Sequence, residues 1–181
     1  MTNFYGQYIG FGGGISGVVV SPGMHGSKGF SIGGHGKTSI DVYNIASTGN
    51  ATDFGDQSGS YGGAGGTCSN ITRGIYTRGN AGNEIEYINC ASEGDGTDFG
   101  DKRSSTTQPF GVGNGIRGIM AGSVCSARDT NIDYLTIATT GNGTDFGDLS
   151  SGRGMGGRGE NATRGVFMGG SHGSNVGENH Y

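Results

Sequence analysis

The chain has 181 residues, of which 43 are Gly, 2 are Pro, none is Trp and 31% are apolar, so it cannot fill a thick core of large side chains. A formal charge of −4 gives no general attraction to nucleic acid or to an anionic membrane, and no stretch has the length of a transmembrane helix. Disorder, the usual rival for glycine-rich sequence, is opposed by 8 Tyr, 8 Phe and β-branched clusters placed at regular intervals.

In chain order, residues 1–23 form an N-terminal segment, and Met1 to Gly14 lacks the basic stretch and long apolar run of a signal peptide. Lys28-Gly29-Phe30 then opens a short apolar run closed by Gly33-Gly34. Ile40-Asp41-Val42-Tyr43-Asn44-Ile45 predicts a strand and Thr52-Asp53-Phe54-Gly55-Asp56 a second short strand. The same order returns twice. Arg73-Gly74-Ile75 leads to Ile85-Glu86-Tyr87 and Thr97-Asp98-Phe99-Gly100-Asp101. Arg117-Gly118-Ile119 leads to Ile132-Asp133-Tyr134, the turn Thr140-Gly141-Asn142-Gly143, and Thr144-Asp145-Phe146-Gly147-Asp148. Arg164-Gly165-Val166 opens a fourth run.

The Thr-Asp-Phe-Gly-Asp blocks start 45 and then 47 residues apart, and the four cation-Gly pairs lie 45, 44 and 47 apart. Periods of this size mark repeat architectures. The expectation is an all-β chain of tandem units of about 45 residues, with almost no helix, because no window carries a capped 3.6-residue apolar period. Residues 24–181 hold three full units and a C-terminal half unit. The unit size suits a propeller blade, and the doublets Gly33-Gly34 and Gly169-Gly170 resemble those of kelch blades, although the usual Trp is absent. A β-solenoid or stacked sheets is the alternative. The register places residues 3–11 where the fourth unit lacks its second strand pair. This segment is expected to complete that unit, closing a ring within one chain or joining chains head to tail.

The string from Ile132 to Leu149, with Asn161-Ala162-Thr163-Arg164-Gly165-Val166-Phe167-Met168-Gly169-Gly170, resembles the kelch-like repeats of virion structural and tail-fibre proteins in tailed phages of marine cyanobacteria. The resemblance spans residues 24–179 and implies a virion component, capsid- or tail-associated, with a role in host attachment. The partners it implies are other virion proteins and copies of the chain itself. The alternatives are a receptor-binding module for host surface carbohydrate, with recognition in the variable stretches 57–70, 102–114 and 149–161, or an extracellular filament subunit.

Motifs that suggest chemistry have simpler readings. Asp53-Phe54-Gly55, Asp98-Phe99-Gly100 and Asp145-Phe146-Gly147 spell the kinase magnesium motif, yet a kinase carries it once, with a separate catalytic loop and strand Lys. Asn50, Asp53 and Asp56, Asp95, Asp98 and Asp101, and Asn142, Asp145 and Asp148 are hard oxygen donors at three-residue steps, but the spacing is that of no known calcium loop. Asx residues bonding their own turns is the preferred reading. The Gly-rich runs 12–17 and 152–157 match Gly-x-Gly-x-x-Gly without a strand before and a helix after. Run 151–159 has too little positive charge for nucleic acid and reads as an inter-strand loop.

Cys68, Cys90 and Cys125 fit neither a zinc site nor a disulfide framework, which suits synthesis in a reducing cytoplasm; Cys90, in the place of Ile45 and Ile137, reads as a small hydrophobe. His25, His35, His172 and His180 lie in Gly-rich turns without ligand spacing. The sequons at Asn50, Asn70, Asn142 and Asn161 are read as unmodified. No catalytic residue, metal site or cofactor is assigned. The structural positions are Asp53, Phe54, Asp98, Phe99, Asp145 and Phe146, together with Lys28, Arg73, Arg117 and Arg164. These cations are expected to pair with Asp41, Glu86 and Asp133 in a ladder that sets register between units, the alternative being that they face a glycan or a partner.

Overall fold

The computed structural model describes residues 27–34, 36–60, 65–79, 82–124, 129–154, 156–161 and 163–171. Among them all the regular structure is β-strand, in several antiparallel sheets. The first sheet is β1 (Lys28–Gly34), β2 (Lys37–Asn44) and β3 (Thr52–Asp56). The second is β4 (Thr67–Ser69), β5 (Arg73–Thr77), β6 (Gly82–Asn89) and β7 (Thr97–Thr106). The third is β8 (Phe110–Gly113), β9 (Arg117–Ala121), β10 (Asn131–Thr136) and β11 (Thr144–Asp148). A fourth, β12 (Gly157–Glu160) and β13 (Gly165–Met168), has two strands. Each sheet runs in chain order as a meander of neighbouring antiparallel strands.

Local chemistry explains the meander. The hairpins β4–β5, β8–β9 and β12–β13 turn on Asn70, Asn114 and Asn161. Each Asn side-chain oxygen accepts the backbone N–H of the Arg three residues on, at 2.8 Å in all three cases. Each Asn N–H in turn donates to that Arg's carbonyl, at 2.9–3.1 Å. The Asx side chain thereby replaces a backbone acceptor and fixes the turn. Two of the four sequons, Asn70 and Asn161, therefore spend their side chains on hairpin geometry.

The core lies between sheets. One cluster packs Ile40 and Phe54 of the first sheet on Tyr76 and Ile88 of the second. The other packs Cys68, Ile75, Ile85 and Phe99 of the second sheet on Met120, Leu135 and Ile137 on the third-sheet side. Phe110 of β8 meets Phe167 of β13 with ring centroids 5.0 Å apart. Burying each large apolar side chain contributes about 1.5–3 kcal/mol. Glycine makes the sheets close enough for this: a Cβ on Gly111 would stand 2.3 Å from the Thr67 amide nitrogen.

Two expectations change here. Run 151–159 is not wholly a loop, because Gly157 to Gly159 belong to β12. More widely, the stretches 57–70, 102–114 and 149–161 contain β4, the end of β7, β8 and β12. In β4 and β12, backbone pairing rather than an alternating side-chain pattern makes the strand. The expected completing segment 3–11, the Gly-rich run 12–17, Cys125 and all four His lie outside the described residues.

Candidate functional site

The Thr-Asp-Phe-Gly-Asp block is a β-bulge. Ile40 pairs with Gly55 and Asp41 with Asp53, which leaves Phe54 as an extra residue. Ile85 with Gly100 and Glu86 with Asp98 leave Phe99 extra, and Ile132 with Gly147 and Asp133 with Asp145 leave Phe146 extra. The Gly after each Phe has φ of 154°, 140° and 139° respectively, a conformation that side chains rarely adopt. A bulge of this kind bends the strand and re-aims its groups.

The re-aimed groups face the next sheet. Gly94 N–H donates to Phe54 O at 2.9 Å and Gly96 N–H to Asp56 O at 2.7 Å. Asp56 N–H donates back to Asp95 Oδ1 at 3.0 Å. One sheet further on, Gly141 N–H donates to Phe99 O and Gly143 N–H to Asp101 O, both at 2.7 Å. Asp101 N–H donates back to Asn142 Oδ1 at 3.0 Å. So Asp95 and Asn142 are spent on the preceding sheet, and do not serve the own-turn role expected of Asx residues. Gly55 and Gly100 permit the approach, since a Cβ on either would lie 2.4 or 2.5 Å from the carbonyl oxygen of Gly94 or Gly141.

A second part of the junction is a buried carboxylate. Glu86 is 4% exposed and Asp133 3% exposed. Glu86 accepts from Tyr76 Oη at 2.7 Å and from Ser58 of the preceding sheet's outgoing chain, through both its hydroxyl and its N–H. Asp133 accepts from Arg103 N–H at 3.0 Å and Arg103 Nε at 2.5 Å. Ser58 and Arg103 each follow the last Asp of a block by two residues. A buried carboxylate without donors would be strongly destabilising, so these contacts hold the sheets in one arrangement. The bond to Asp133 also raises the Arg103 pKa above its ordinary value, with burial opposing.

The third part is the cation. Lys28 Nζ donates to Cys90 O at 2.9 Å, and Arg73 Nη1 to Ile137 O at 3.2 Å. Arg73 also lies 4.6 Å above the Tyr87 ring and Arg117 4.6 Å above Tyr134. This differs from the expected ladder. Among the described residues the ion pairs join Arg78 to Glu84 and Glu86, and Arg103 to Asp133 and Asp145. Lys28 and Arg73 reach the next sheet through backbone carbonyls, whereas the tyrosine faces under Arg73 and Arg117 belong to the cation's own sheet. The physical reason is that the acid in each later sheet is already covered by the chain leaving the preceding bulge.

Of the expected structural residues, Phe54, Phe99, Lys28 and Arg73 take part in this recurring contact, while Asp53 and Asp98 are exposed and pair within their own sheets; the third block differs. Phe54 and Phe99 are 3% and 2% exposed, but Phe146 is 56% exposed. A Cβ on Gly147 would meet nothing within 4 Å. The fourth sheet does not cover this edge, because β12 and β13 lie against β8. Arg164 N–H serves the Asn161 turn.

Two other features carry chemistry. Burial raises the Cys68 thiol pKa to about 12, with Glu160 adding to the rise and Arg158 opposing it. Such a thiol stays protonated near neutral pH and is a poor nucleophile. Burial also raises the Glu160 carboxyl pKa, against the pull of the Gly113 N–H and of Arg158. A cavity of about 660 Å³ lies along β1, lined among others by Lys28, Phe30, Cys68, Tyr76 and Arg158. Among the described residues no three His, Cys, Asp or Glu side chains gather in a metal-holding group, and no helix is long and apolar enough to cross a membrane. Comparison with protein families finds no family model that matches this chain, and comparison with curated proteins likewise finds no match.

Proposed function

We propose that this protein is a structural component of a phage virion, capsid- or tail-associated, that works by joining β-surfaces rather than by catalysis. The observation that carries the reading is the junction itself. Phe, Asp, the turn Gly residues and the strand cation make the same bonds between the first and second sheets as between the second and third. A chain that devotes its recurring residues to sheet-to-sheet contact is suited to assembly. The resemblance of residues 24–179 to phage virion repeats gives that assembly its setting.

In the same reading the sheets are kelch-like blades. The support is that their first strands succeed one another, β4 against β8 and β8 against β12, as inner strands around an axis would. Partners in this reading are other virion proteins and further copies of the chain. The test is to purify the particles of the phage that encodes it, identify the protein by mass spectrometry and locate it by immunogold electron microscopy. A fixed position on the particle is the expected result. Its absence from particles, with abundant protein in the infected-cell lysate, would refute the proposal.

A further inference from the structure

The junction has a donor half and an acceptor half, and the described residues leave one of each unmatched. On β11 the bulge at Phe146 and the Gly147 φ of 139° reproduce the acceptor edge that Phe99 and Gly100, φ 140°, present to the third sheet. Phe146 O and both backbone groups of Asp148 stand where Phe99 O and those of Asp101 are bonded. Arg117 stands where Arg73 reaches the next sheet. At the other end of the same chain, Gly49, Asn50 and Ala51 stand where Gly94, Asp95 and Gly96 insert into β3. Ile45, 64% exposed, stands where Ile137, fully buried, gives its carbonyl to Arg73. A Cβ on Gly147 would meet nothing within 4 Å, whereas one on Gly55 or Gly100 would meet the carbonyl of the inserted turn.

We infer that the β11 edge of one copy receives the 49–51 turn of a second copy, so that the protein associates head to tail through a third instance of its own sheet-to-sheet junction. The occupant is another copy because each unmatched group has its counterpart on this chain: Gly49 N–H for Phe146 O, Ala51 N–H for Asp148 O, Asn50 Oδ1 for Asp148 N–H, and Ile45 O for Arg117. Phe146 would be covered as Phe54 and Phe99 are. Because donor and acceptor halves differ, the contact is heterologous and extends beyond a dimer unless it closes. This deepens the assembly reading above and rests on it.

The test is sedimentation of the full chain over a wide concentration range, with Phe146→Asp blocking the acceptor edge and Gly49→Pro removing the donor N–H. The parent protein is expected to grow in mass with concentration. Each variant is expected to stay monomeric, with unchanged circular dichroism. Mixing the two variants should give a complex of two chains and nothing larger, since only one intact junction can form. Should Pro disturb the turn, Asn50→Ala leaves the backbone alone and is expected to weaken association several-fold. A parent chain that stays monomeric at every concentration overturns the inference. Association that ignores both blocking variants also overturns it, while leaving the assembly reading in place; that reading fails separately, on absence from purified particles.

Discussion

At the scale of single residues, equivalent side chains differ in energy because only some are covered. Phe99 is packed against Tyr87 at a centroid distance of 6.0 Å and lies in the cluster with Leu135 and Ile137. Phe99→Ala should therefore cost about 3–5 kcal/mol, the range for deleting a buried aromatic ring. Phe146→Ala, at a 56% exposed position, should cost less than about 0.5 kcal/mol in dilute solution. Urea denaturation of both variants checks the contrast, and equal losses would contradict it. Cys68 gives a prediction in pH. Its folded pKa is raised to about 12 from an ordinary 9.0 by burial, so the folded state holds the proton more tightly than the unfolded state. The associated stability is present below about pH 9 and declines as pH rises from there towards 12. Thermal unfolding from neutral pH to pH 10.5 should show that decline, and Cys68→Ala should lessen it. In the folded protein at neutral pH, Cys68 should resist alkylation and react on unfolding.

At the scale of elements, the bulge is the unit of design. Gly100→Ala adds both φ strain and a contact at 2.5 Å with the Gly141 carbonyl. Gly147→Ala adds φ strain alone, about 1–3 kcal/mol. Gly100→Ala should lose at least about 1 kcal/mol more, the scale of cost for overpacking, and equilibrium unfolding of the pair measures the difference. Much of this element was legible beforehand. The recurrence of Thr-Asp-Phe-Gly-Asp and the turn at 140–143 marked strand and turn, and the lack of capped helical periods excluded helix among the described residues. The strands β4, β8 and β12 were not legible. Thr67-Cys68-Ser69 and Gly157-Arg158-Gly159-Glu160 carry no alternating pattern, and they become strands through pairing with β5 and β13. The roles of Lys28 and Arg73 were half legible. Strict spacing signalled register, but the partners are carbonyls 62 and 64 residues away, which spacing alone does not reveal. The acids drew attention as the natural partners of those cations. Their actual donors, Ser58 and Arg103, differ in chemistry and so left no common signal.

At the scale of the whole molecule, stability is distributed over sheet-to-sheet contacts of one kind. Long-range order passes from the first sheet to the third through two instances of the same hydrogen-bonded junction, each with an aromatic ring and a buried carboxylate. Such a chain is expected to gain cooperativity with each neighbour added, which is also why the unmatched halves matter for assembly. These inserted turns, and not only the strands within each sheet, hold the molecule together. Residue-resolved amide hydrogen exchange on the dilute native protein tests this most directly. Protection of Gly94, Gly96, Gly141 and Gly143 at the level of the strand cores, with rapid exchange at Gly49 and Ala51, is the predicted result. Exchange at Gly94, Gly96, Gly141 and Gly143 as fast as at Gly49 and Ala51 would contradict it.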